Sequence, residues 1–318
     1  MNSNEWSETC CVLRIGRCAI RECSSSSIHA LRNTQYAIRN TPHEASKMTE
    51  DLRIRIHGPA NLPVLIYLPG LHGDWTLIGG FRRAVRGRVR FVEVTYPRTL
   101  TWMLDDYAAG IEAALRSQGI EHGWLLGESF GSQIVWPLLS RKGFEVDGVI
   151  LAGGFVRHPT PGMARTAARV TAGVPFSLVR CILGPYAKIM RLRYRRSPEV
   201  LQNVEEFIAR RTDLDLQAAA HRLHLLSKSN PIGVAQEAGP PVYALTGLWD
   251  PIVPWYWVRR WLRSHCPNLR EYKIIWRADH QVLATAPEAA ANVIVGWIAA
   301  TVRGRQGQTH PSVCSRNL

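Results

Sequence analysis

Val64 to Leu68 (VLIYL) is an unbroken apolar run closed off by Pro63 and Pro69. A strand with no polar face is covered on both sides. That is the situation of a strand inside a parallel sheet flanked by helices. Other segments repeat the theme. Phe91 to Val94, Gly123 to Leu126, Val146 to Leu151, Val242 to Leu245 and Tyr272 to Ile275 read as strands. Trp102 to Ser117, Phe130 to Arg141 and Tyr256 to Ser264 lie between them with helical period, Leu104, Ala108, Ile111 and Leu115 marking one apolar face. Leu52, Ile54 and Ile56 alternate with Arg53 and Arg55 as in a half-exposed strand. Thr285 and Glu288 read as a capping box for a last helix running to about Val302. Strand alternating with helix predicts an α/β chain with a mostly parallel sheet.

The rhythm breaks between Phe155 and Pro240. There the chain is helical in tone and Arg-rich, with Arg191, Arg193, Arg195 and Arg196 in one run. Such an insertion is expected to form a helical basic cap, residues 156–240, over a core made of 48–155 and 241–305. It is expected to set substrate choice rather than chemistry. Residues 1–47 carry no apolar period and read as a disordered leader or a misassigned start ahead of Met48. Residues 306–318 read as a flexible tail.

Chemistry concentrates in Gly127-Glu128-Ser129-Phe130-Gly131, set between an apolar strand and a helix. In a G-x-S-x-G turn the two glycines let the chain reverse so sharply that the serine hydroxyl stands free at the carboxyl end of the sheet. Serine needs a base, and the base needs an orienting acid. Asp250 follows one strand and His280 follows the last, so the order along the chain is Ser, Asp, His. All three sit where loops leave the carboxyl edge of a parallel sheet. Pro137 falls inside the helix after the serine and is expected to kink it. Trp75 and Trp249 flank these loops, as pocket lining or as core packing.

With Leu68-Pro69-Gly70-Leu71-His72-Gly73, the Gly127–Gly131 turn, the loop Trp249 to Pro254 and Asp279-His280, the chain resembles the α/β-hydrolase superfamily over residues 52 to 302. The resemblance is to the serine-nucleophile branch with an inserted cap. It implies the α/β-hydrolase fold, a mostly parallel central sheet with helices on both faces. It implies Ser129 as nucleophile, His280 as general base and Asp250 as its orienter. The backbone N–H groups of Leu71 and Phe130 would form the oxyanion hole. Serine at the elbow, rather than aspartate, points away from epoxide opening and halide displacement and toward acyl transfer. The expected activity is a carboxylic-ester hydrolase on a small-molecule, apolar acyl ester. An acyltransferase, a C–C bond hydrolase, or a non-catalytic scaffold with a partner-binding basic cap stay open beside it.

The remaining composition sets bounds. Of 318 residues, 46% are hydrophobic and 20% charged, which excludes collagen-like, coiled-coil and wholly disordered chains. The net charge of +14 favours anionic partners, here at most a weak contact of the cap with an anionic surface. No nucleic-acid motif is visible. The seven cysteines are odd in number, and Cys10, Cys11, Cys18 and Cys23 lack paired zinc-knuckle spacing. A reducing, cytoplasmic setting with no cofactor and no metal follows as the expectation. The run Ala289–Val302 has the length of a core helix, not of a membrane span.

Overall fold

The computed structural model describes residues 52–173, 192, 198–209 and 211–308. The expected leader, its cysteines, the arginines at 191, 193, 195 and 196, and the chain after 308 lie outside the described residues. Seven strands form one sheet: β1 (Arg53–His57), β2 (Val64–Leu68), β3 (Arg90–Thr95), β4 (His122–Glu128), β5 (Glu145–Ala152), β6 (Val242–Gly247) and β7 (Leu269–Ile275). Their spatial order is β1-β3-β2-β4-β5-β6-β7. β1 runs antiparallel to β3 and every other neighbouring pair is parallel.

In chain order, the helices of the described residues begin with α1 (Gly79–Ala84), α2 (Leu104–Ser117) and α3 (Gly131–Arg141), which connect the strands up to β5. Between β5 and β6 come α4 (Pro161–Gly173), α5 (Pro198–Ala209), α6 (Asp213–Lys228) and α7 (Ile232–Gln236). α8 (Trp255–His265) joins β6 to β7, and α9 (Val282–Thr285) and α10 (Pro287–Gln308) close the chain. None of the described helices is long and apolar enough to cross a membrane.

Strand alternation sends neighbours to opposite faces. From β2, Ile66 and Leu68 join a core with Ile111 and Leu115 of α2, Ile134 of α3 and Leu262 of α8. Leu65 and Tyr67 face the other way, onto Phe81 of α1 and Ile294, Trp297 and Ile298 of α10. All five residues of β2 are buried, which is why the sequence shows no polar face there. Each such side chain contributes about 1.5–3 kcal/mol by leaving water.

Two local expectations differ from the structure. β7 begins at Leu269, three residues before the apolar signal, because Leu269 and the exposed Glu271 pair with β6 across a bulge at Arg270 on this edge strand. The capping box at Thr285 does not form. Pro287 takes the first helical position, which its fixed φ suits, and Thr285 ends α9 instead. The Thr285 hydroxyl accepts from the Asp279 N–H and lies 2.9 Å from the Gln281 carbonyl. Pro137 lies inside α3, which continues to Arg141.

Candidate active site

The loops after β2, β4, β6 and β7 converge at one edge of the sheet. Ser129 occupies the turn between β4 and α3 with φ +50°, a left-handed conformation that a non-glycine residue adopts at a cost. Tight packing holds it there. A Cβ on Gly131 would stand 2.0 Å from the Leu68 carbonyl oxygen, and one on Gly127 2.9 Å from the backbone of Ser132. Only glycine lets β4, the turn and β2 approach so closely. Ser129 N–H donates to Ala152 O at the end of β5 (3.0 Å). Gln133 Nε2 donates to the carbonyls of Phe155 (2.9 Å) and Val156 (3.1 Å), and Phe155 N–H donates to Ser132 Oγ. The turn is thus fastened to the exit of β5 by two residues to which the sequence pattern assigns no role.

His280 and Asp250 meet Ser129 in one hydrogen-bonded row. His280 Nε2 lies 2.8 Å from Ser129 Oγ, and His280 Nδ1 lies 2.8 Å from Asp250 Oδ2. The other Asp250 oxygen accepts the N–H groups of Ile252 and Val253, both at 2.9 Å. Asp-Pro-Ile-Val therefore builds a turn around its own acid and leaves one oxygen for histidine. A carboxylate accepts only, so it fixes the proton on Nδ1 and turns the Nε2 lone pair to the serine hydroxyl. Burial alone would push the His280 pKa down. The bond and charge of Asp250, with Glu128 and Asp279, outweigh it, and the net shift is upward. The Asp250 side chain is wholly buried and that of His280 is 11% exposed, so neither rides on an open surface loop.

The loop after β2 closes on the same point. A Cβ on Gly70 would lie 3.5 Å from Ser129 Cβ, so this turn packs directly on the serine. Among the described residues, neither the Leu71 N–H nor the Phe130 N–H has a backbone or side-chain acceptor. His72 beside them is pushed down to about 4, chiefly by burial, and is uncharged at neutral pH.

One group next to the serine escapes sequence reasoning. Glu128 is 3% exposed, and Tyr67 donates to its carboxyl at 2.5 Å. Burial raises the Glu128 pKa from 4.5 to about 7, against the pull of Tyr67 and His280. The signal for this pair is register. Tyr67 of β2 lies opposite Leu126 of β4, two residues before Glu128.

A largely apolar cavity of about 430 Å³ opens between the β5 exit and α8, lined by Phe155, Val156, His158, Pro159, Trp257 and Trp261 among others. Trp75 and Trp249 are not in its wall. Trp75 packs on the core with Arg55 over its ring at 4.9 Å, and Trp249 is exposed. No group of three His, Cys, Asp or Glu side chains among the described residues could hold a metal ion.

No protein-family model and no curated protein matches the chain. Solved structures do. A thermophilic esterase from Thermogutta terrifontis superposes with TM-score 0.62 at 20% identity, over 79% of this chain and 93% of that one. The enol-lactonase from Burkholderia xenovorans gives 0.63 at 17% identity, over 78% and 96%. An α/β-hydrolase enzyme from a Medee basin deep-sea metagenome library gives 0.62 at 15% identity, over 78% and 94%. By its mostly parallel seven-stranded sheet and these likenesses, the chain has the α/β-hydrolase fold.

Proposed function

We propose that the chain is a serine hydrolase of carboxylic esters that works through an acyl-enzyme. The observation that carries the reading is the row Ser129–His280–Asp250, with 2.8 Å at both joints. His280 takes the hydroxyl proton as Ser129 Oγ attacks the ester carbonyl, and Asp250 steadies the imidazolium. The carbonyl oxygen, now negative, is received by the Leu71 and Phe130 N–H groups, donors typically worth ~100- to 1,000-fold each. His280 returns the proton to the leaving alkoxide, and the acyl group stays on Oγ. Water then repeats the sequence, releasing the acid and restoring the serine.

Helices α4 to α7, within residues 156–240, make up the cap, and the apolar cavity beside α4 and α7 gives room for an acyl or alcohol group. The esterase and the enol-lactonase among the similar structures lend support, since both names describe attack on an ester carbonyl. The test is hydrolysis of p-nitrophenyl esters of increasing acyl length, with fluorophosphonate labelling to locate the nucleophile. Turnover with label on Ser129 is expected. Label elsewhere, or turnover surviving in Ser129→Ala, overturns the assignment.

A further inference from the structure

Gly70 to Gly73 turn between β2 and the serine elbow, and each of the four carbonyls accepts a hydrogen bond. Gly73 N–H donates to Gly70 O at 3.0 Å and Tyr96 N–H to Gly73 O at 2.8 Å. Arg222 Nη1 donates to Leu71 O at 2.9 Å, and Arg211 Nη1 to His72 O at 3.3 Å. Half of the bonds therefore come from arginines in the segment between β5 and β6. Arg222 stands on α6, 151 positions beyond Leu71 in the chain.

Arg222 is 2% exposed. Its Nη2 donates to Pro97 O at 2.9 Å, and its guanidinium lies 5.5 Å from the centre of the Tyr96 ring. A Cβ on Gly73 would lie 2.5 Å from Nη1, so the guanidinium packs directly on the turn. Among the described residues no carboxylate pairs with Arg222, and its other polar neighbour is the neutral Tyr107 hydroxyl. A buried cation without an anion is expensive, and truncating it to an apolar group is not intrinsically ruinous. Stability alone is a poor reason for an arginine here.

We propose that Arg222 is a positioning residue. By holding the Leu71 and Pro97 carbonyls, it fixes the loop whose Leu71 N–H receives the substrate oxygen. The inference rests on the serine-hydrolase reading, and it extends the inserted helices from substrate choice to the chemistry itself. The physical link is the turn itself, a run of planar peptides joined at their α-carbons. With C=O and N–H pointing opposite ways, a peptide whose carbonyl is held has its N–H aimed as well. Gly73, through Gly70 O, aims the peptide that carries the Leu71 N–H, and Arg222 anchors the peptide that follows it. Releasing that second peptide lets the turn rotate, and only the fraction of molecules with the donor in place turns over. The positive charge on the adjacent peptide also favours the negative oxygen of the transition state over the neutral ester.

The experiment compares wild type, Arg222→Met and Arg222→Lys as full chains. Arg222→Met is expected to lower kcat on a short-chain p-nitrophenyl ester about 10- to 100-fold, short of the loss of an entire donor. KM should stay within about twofold, and affinity for a trifluoromethyl ketone should fall by the same factor as kcat/KM. Lysine reaches one carbonyl but not both, so Arg222→Lys recovers part of the loss. Hydrogen exchange needs no substrate: amides 70–75 should exchange at least about tenfold faster in Arg222→Met, with β2 and β4 unchanged. Unchanged kcat with unchanged exchange at 70–75 overturns the proposal. So does faster exchange throughout the sheet, which marks a merely structural arginine. A wild type inert on every ester sinks the hydrolase reading instead, and the exchange comparison still decides whether Arg222 holds the loop.

Discussion

Replacing Glu128 by Gln removes a buried carboxyl whose ionisation works against the fold. Burial raises its pKa from 4.5 to about 7 in the folded chain. Between those values the unfolded chain has released the proton and the folded chain keeps it. The unfolded state binds fewer protons, so this group's contribution to stability falls as pH rises from about 4.5 to about 7 and then levels off. A gap of about 2.5 pH units corresponds to about 3 kcal/mol at full ionisation. The substituted amide has no such titration, and its carbonyl can still accept from Tyr67. Relative to wild type, Glu128→Gln should therefore gain about 3 kcal/mol on going from pH 4.5 to pH 8. At about 2–4 °C per kcal/mol for a domain of this size, the Tm difference between the two proteins should move by roughly 10 °C. The assay is thermal melting of both proteins across that range at fixed ionic strength. A Tm difference that stays flat with pH would refute the reasoning, because Glu128 would then ionise alike in both states.

Tyr67→Phe removes the hydrogen bond that holds the Glu128 pKa down, so in matched melts the pH window of lost stability should extend upward. Asp250→Asn should cut kcat by roughly 10³- to 10⁴-fold. Because Asp250 raises the His280 pKa, the acidic limb of the kcat/KM profile should also move to lower pH, and an unmoved limb contradicts the pairing. Gly131→Ala places a methyl 2.0 Å from the Leu68 carbonyl oxygen, backbone that cannot step aside. It should lose at least about 1–3 kcal/mol by overpacking, along with most activity, read from denaturant melts and ester turnover.

The sequence made the strands and the serine turn legible because their signals are local. Val64 to Leu68 announces burial by its own composition, and Gly127 and Gly131 announce a close approach by their spacing. Ser129, Asp250 and His280 were readable because each follows a strand, in a fixed order at one edge of the sheet. The supporting groups depend on distant pairings. Tyr67 meets Glu128 only through the register of β2 on β4. Arg211, just before α6, and Arg222, on it, carry no local signal until the fold brings them against the loop after β2. Trp257 and Trp261, rather than Trp75 and Trp249, line the cavity because the direction of α8 decides which aromatics face it. The Thr285 misreading has a local cause. The S/T-x-x-E pattern fits, but Pro287 is the stronger determinant of where a helix can start.

Joint removal of Ser129 and His280 tests the proposed chemistry most directly. If His280 serves only to take the proton of Ser129 and return it, the two residues form one functional unit joined at 2.8 Å. Ser129→Ala and His280→Ala should each lower kcat/KM on a short-chain ester by several orders of magnitude, and the double variant should be scarcely slower than either. Single effects that multiply in the double variant, or near wild-type hydrolysis by Ser129→Ala, would contradict a serine–histidine mechanism at this site.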